Sequence, residues 1–345
     1  MKRKPHTANH TIMMTFTQLP SATTQIRQVF LRRPMVQNYF LKGLLFLLLM
    51  LSFGGAWAQV NGDYRTRNSG NWSANGTWQV YNGGWVNCAP GDYPGATAGA
   101  GTVTITNNID VTLNTTPTNS IGALVLATGN RASYITFSGT NSLNVTGVTT
   151  IESPTSTNAS RYKYINVLAG SLSTASIVMD GSTNNGRDSY IEISTGTVTV
   201  SGDITMNSAD PRTYFLFSGT GMLKVGGNMS GGGITSATGG GASAPTSGSV
   251  EYNGASAQQI GSYTYYDLTT SGGGTKTLTG ATTVNNNLTL TSGILQLGNN
   301  SLTIANTATN AIQGAAFSAT NMIETNGTGY VVRSAATALP ILFPV

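Results

Sequence analysis

Four arginine–tyrosine pairs recur along the middle of the chain: Arg131 with Tyr134, Arg161 with Tyr164, Arg187 with Tyr190, and Arg212 with Tyr214. A guanidinium beside a phenol ring offers charge-assisted hydrogen bonds and a stacking face, a combination suited to an acidic sugar. The second chemistry-bearing set is acidic: Glu152, Asp180, Asp188, Glu192, Asp203 and Asp210 lie on the same stretch. Glu152 and Asp180 hold equivalent places in neighbouring repeats, so they are expected about 5 Å apart, one strand spacing. That distance suits the carboxylates of a retaining glycosidase or the ligands of one calcium ion. The plainer reading is mutual neutralisation, with Arg131, Arg161, Arg187 and Arg212 capping strand corners and pairing with Glu152, Asp180, Asp188 and Asp210. It is favoured here, and since no calcium nonapeptide or EF-hand loop occurs, no metal or other cofactor is expected.

Export narrows the chemistry further. The run from Leu41 to Phe53 is apolar apart from Lys42, is preceded by Arg32 and Arg33, and is followed by Ala56-Trp57-Ala58, the small-x-small pattern of signal peptidase sites. Residues 1–58 therefore read as a leader cleaved after Ala58, with Met35 a candidate for the true start. The run is shorter than the roughly 20 residues of a membrane span, and Gly54-Gly55 interrupts it. Membrane contact is thus expected only during export, and Gln59 rather than Cys at the new N-terminus argues against a lipid anchor.

Of the 17 basic residues 7 precede Gln59, and none of the 12 acidic ones does, so the mature chain carries 10 − 12 = −2. A basic surface for nucleic acid is lost with the leader. Both histidines, His6 and His10, go with it. Without imidazole there is no Ser-His-Asp or Cys-His nucleophile and no His-ligated metal site. The single cysteine, Cys88, has neighbours Asn87, Ala89 and Pro90 that supply no cation to activate it, and reads as a small buried residue.

The elements that must position these groups are legible from spacing. The four tyrosines are 30, 26 and 24 residues apart, a period at which one supersecondary unit stacks on the next. In the third copy Ile191 and Ile193, Val198 and Val200, and Ile204 and Met206 alternate with polar residues, with Gly196 and Gly202 between the pairs. Alternation at period two predicts strands with one buried face, so each copy is expected to supply three short strands to an all-β fold, a right-handed parallel β-helix. The alternative is an antiparallel β-sandwich, which also has short strands every 8–12 residues or so but does not require a repeated Arg-Tyr phase.

Around the repeats at 121–230, residues 59–120 read as an N-terminal cap. Trp72, Trp78 and Trp85 bury an open end, a reading preferred to a sugar-stacking patch because their spacing defines no common face. Residues 231–249 form a Gly/Ser/Thr-rich loop. Residues 250–345 add further coils through Leu268, Leu288, Leu290, Leu295, Leu302 and Ile304, and the apolar close Leu339–Val345 leads to the expectation that the protein continues.

Gly70-Asn71-Trp72 with Thr77-Trp78, then Val103-Thr104-Ile105 and Val111-Thr112-Leu113, resembles the opening of large secreted surface proteins of Bacteroidota and, distantly, the G8 domain. The stretch from Tyr266-Asp267-Leu268-Thr269 through Leu288–Leu295 to Leu302-Thr303-Ile304 resembles their β-helical repeats. The resemblance implies secretion, often by the type IX route, and adhesin-like or surface-layer roles. The C-terminal sorting domain which that route reads is not visible here.

The expected function is a non-enzymatic extracellular β-helical surface protein, with polysaccharide or cell-surface components as partners and the Arg/Tyr columns as the glycan-contacting residues. The alternative is a carbohydrate-active β-helix enzyme, a polysaccharide lyase or glycosidase.

Overall fold

The computed structural model describes residues 59–155, 162–181, 187–207, 212–237 and 243–334. The leader with its cleavage site, and Arg161 and Asp210 of the charged columns, lie outside them. The described residues form 30 strands and one short 3-10 turn, Asn75–Thr77. None of their helices is long and apolar enough to cross a membrane.

The strands pair in parallel, each with strands one repeat away. One sheet runs through Thr102–Ile105, Ala123–Leu126, Ser142–Ile151, Ser171–Asp180, Thr197–Val200, Met222–Val225, Ser249–Tyr252, Asp267–Thr270, Leu288–Leu290 and Ile312–Gly314. A second runs through Asp110–Leu113, Ser133–Phe137, Lys163–Val167, Ser189–Ile193, Thr213–Phe217 and Gly233–Thr235. Beyond residue 250 two four-stranded sheets take its place, starting at Gln258–Ile260 and Thr264–Tyr265. Antiparallel pairing between named strands is confined to the N-terminal edge, where Trp78–Tyr81 pairs with both Tyr64–Thr66 and Trp85–Asn87. The strands do not form an antiparallel sandwich.

Alternation explains the layering. Ile135, Ile165, Ile191 and Phe215 are successive register partners on the inward face, as are Val167, Ile193 and Phe217, and all are buried. Burying such a side chain contributes about 1.5–3 kcal/mol, and the columns join one continuous core. The third copy has the three expected strands, the last being Ile204–Asn207. In the first two copies the second and third strands merge into the ten-residue strands Ser142–Ile151 and Ser171–Asp180, with an irregularity between Thr174 and Ser176.

Glycine marks one corner for a steric reason. A Cβ on Gly170 would fall 2.3 Å from the carbonyl oxygen of Asn141, and one on Gly196 would fall 2.3 Å from that of Gly170. Only a residue without a side chain lets the backbone of each layer settle on the last.

At the N-terminal edge Trp72 and Trp78 are fully buried with rings edge to face at 4.9 Å. The Trp72 indole N–H donates to the Pro94 carbonyl at 2.9 Å and that of Trp78 to the Trp72 carbonyl at 2.7 Å. The two rings do share a site, although their spacing gave no common face, because the Asn75–Thr77 turn folds one back onto the other. The parallel ladder already includes Thr102–Ile105 and Asp110–Leu113, so the second half of the expected cap belongs to the stack.

Candidate functional site

Tyr134, Tyr164, Tyr190 and Tyr214 are direct register partners on the outward face of the second sheet. Their rings stack at centroid distances of 4.8, 4.9 and 5.0 Å with interplanar angles of 11°, 7° and 5°. Parallel in-register strands impose this arrangement, since identical side chains one strand apart meet face to face.

The column is not uniformly open. Tyr134 and Tyr164 are half-buried, whereas Tyr190 is 7% and Tyr214 1% exposed, packed with Leu216 in a small cluster of their own. Burial, followed by the charges of Tyr134, Asp110 and Glu192, pushes the Tyr164 phenol up to about 12. Tyr190 is raised further, chiefly by burial. A phenol held protonated by the fold loses its proton first in the unfolded chain. Stability is therefore full below pH 10 and falls as pH rises beyond it. An alkaline titration of phenolate absorbance is expected to show these groups ionising only together with an unfolding transition above pH 10; smooth ionisation near 10 with the fold retained would contradict the burial of the column.

The arginines divide in the same way. Arg131 is exposed and Arg187 is 5% exposed. Arg212 pairs at 3.4 Å with Asp188, a fully buried carboxylate that also accepts the Tyr214 hydroxyl at 2.9 Å. The ion pair crosses layers, joining one copy's arginine to the preceding copy's acid. The two ends of the column thus differ: the Tyr190–Tyr214 end is sequestered, while Arg131, Tyr134 and Tyr164 keep solvent access.

Glu152 and Asp180 are adjacent in register, following the partners Ile151 and Met179. Their carboxylates are engaged by different layers. Glu152 accepts the backbone N–H of Thr128 at 2.6 Å, and Asp180 accepts the Asn207 side-chain amide at 2.9 Å. Among the described residues no group of three or more Asp, Glu, His or Cys side chains could hold a metal ion. Cys88 is buried, its thiol pushed up to about 12 by burial and then by Asp92, an environment that keeps the sulfur protonated and unreactive. Trp85, the most accessible of the three cap tryptophans, lies under the Arg65 guanidinium at 4.4 Å.

Two features escape sequence reading. The first is a cleft of about 490 Å3 where the second sheet ends and the two later sheets begin, lined by Asn228, Ser230, Gly231, Gln259, Ser262, Tyr263 and Thr279 among others. The Tyr263 hydroxyl donates to the Gly231 carbonyl at 2.6 Å, which fixes the ring, and Gly261 makes room for it: a Cβ there would fall 2.1 Å from a ring carbon. The backbone N–H of Gln259 donates to Asn228 Oδ1 at 2.8 Å. The lining carries amides and hydroxyls and no charged side chain. A shallower groove of about 310 Å3 on the first sheet, between Asn144, Thr146, Ser173, Thr199 and Ser201, has the same character.

The second feature is a pair of lysines inside the stack. Lys163 and Lys276 are both fully buried. Lys276 donates to the Gly254 carbonyl, and burial lowers its basicity. Lys163 faces inward between its register partners Ser133 and Ser189.

Compared with protein-family models, with curated proteins and with solved structures, the chain matches none.

Proposed function

We propose that the chain is an exported, non-enzymatic surface protein, built as a right-handed parallel β-helix and presenting its lateral faces to extracellular polysaccharide. The coil reading is supported by parallel pairing that recurs from layer to layer, and its hand follows the rule for parallel crossovers. Export rests on the charged, apolar and small-x-small succession ending at Ala58. An adhesin-like role accords with the resemblance to secreted Bacteroidota surface proteins. The non-enzymatic part is supported by Glu152 and Asp180, whose carboxylates are committed to separate layers rather than converging on one point.

The observation that carries glycan contact is the Tyr263 cleft. A ring held in place, surrounded by uncharged amides and hydroxyls, matches the apolar faces and hydroxyl rims of neutral sugars. Binding of neutral polysaccharides, measured by affinity electrophoresis, is expected to be insensitive to salt and to weaken at least tenfold in Gln259→Ala and Tyr263→Ala, about 1.4 kcal/mol. Binding only of acidic polysaccharide, weakened by salt and by Arg131→Ala, would move the contact to the open end of the Arg/Tyr column. Release of new reducing or unsaturated sugar ends would overturn the non-enzymatic reading in favour of a glycosidase or lyase.

A further inference from the structure

Lys163 is the most anomalous side chain of the fold. It is 0% exposed, and its contacts through Nζ are long: 3.4 Å to Ser133 Oγ and 3.5 Å to Asn107 Oδ1. No carboxylate lies within 4.0 Å of Nζ among the described residues. An ammonium buried on such terms is costly, and the fold raises the share of the neutral amine. A neutral, buried primary amine is a nucleophile.

What faces it is an electrophile held in place. The Asn107 carboxamide is fixed on both sides, its Oδ1 accepting the backbone N–H of Arg131 at 2.8 Å and its Nδ2 donating to Asn130 Oδ1 at 3.0 Å. It lies against Gly129, where a Cβ would fall 2.3 Å from Asn107 Cγ. The Arg131 N–H points at the oxygen that gains negative charge if Cγ is attacked, the role of an oxyanion donor. A carboxylate, Glu152, acts electrostatically on Lys163, and burial outweighs it, so that the amine is lowered to about 8.

We propose that Lys163 and Asn107 form an intramolecular amide cross-link across the layers of the stack. Lys163 Nζ attacks Asn107 Cγ, the Arg131 N–H stabilises the tetrahedral oxygen, and the C–Nδ2 bond breaks. The proton that the attacking amine sheds goes to the departing nitrogen, so that –NH2 and –CONH2 become –NH–CO– and one ammonia, with no oxidant or other reactant required. The bond would join residues 56 apart in sequence, spanning from the layer of Asn107 past Ser133 to that of Lys163. Secreted chains meet proteases and shear without repair, and a covalent tie between layers acts as a disulfide does in proteins that have the cysteines for one.

Tryptic mapping of the purified full chain tests this directly. Trypsin does not cut at an acylated lysine, so the wild type is expected to give one branched peptide joining residues 68–131 to 162–187, lighter than the two peptides together by one ammonia. Lys163→Arg and Asn107→Ala are expected to give none of it. Cleavage after Lys163 in folded wild-type protein, with both linear peptides at the masses their sequences require, overturns the proposal whatever the variants do.

Discussion

Ile193→Asp is expected to unfold the protein or to lower its stability by on the order of 4–5 kcal/mol, the range reached when a buried charge is left unpaired. Ile193 is 0% exposed and stacks between Val167 and Phe217, and its methyl lies 2.5 Å from where a Cβ on Gly221 would stand. That packing leaves no room for water beside a carboxylate. Thr199→Asp is the matched control. Thr199 faces outward between Ser173 and Lys224, so a carboxylate there meets solvent and a cation, and the cost should stay within about 0.5 kcal/mol. Urea denaturation of the two variants checks the pair, and equal losses would refute the assignment of inner and outer faces.

Asp188→Ala is expected to cost about 3–5 kcal/mol, the penalty for breaking a buried ion pair from one side. The substitution removes the ion pair with Arg212 and the carboxylate to which the Tyr214 hydroxyl donates. Asp188→Asn keeps an acceptor for Tyr214 and should fall between wild type and alanine. In a double-mutant cycle with Arg212→Ala the combined loss should be below the sum, because both single changes remove the same ion pair. A loss for Asp188→Ala within about 0.5 kcal/mol would mean that the buried end of the column is structurally idle, contrary to its geometry.

The layered core was readable from the chain because each inward column is apolar and each copy repeats the same phase. Ile191 and Ile193, Val198 and Val200, and Ile204 and Met206 alternate in sequence and are all buried in the fold. The tyrosine ladder followed from phase alone. The sealing of Tyr190 and Tyr214 did not, since period-two alternation assigns the second face to solvent and is blind to whatever else covers it. Lys163 and Lys276 were missed for the converse reason: a lysine at the start of a strand reads as an exposed flank. The Asp188–Arg212 pair requires the register between layers, and the Tyr263 cleft joins Asn228 to Gln259, 31 residues on, at a change of sheet that no local pattern announces.

Parallel pairing between layers has a mechanical consequence. From Thr102 onward each layer consumes between 18 and 30 residues, as the partners Val250 and Leu268 and the partners Tyr134 and Tyr164 show, and adds only about 4.8 Å of height. As extended chain the same residues would reach about 3.3 Å apiece, so the architecture is a poor device for reach. Its strength lies in direction. A pull along the stack tears open one ladder at a time, like a zipper, whereas a drag along the strands must shear every hydrogen bond of a ladder at once. A protein of this kind withstands flow across its flank far better than tension between its two ends.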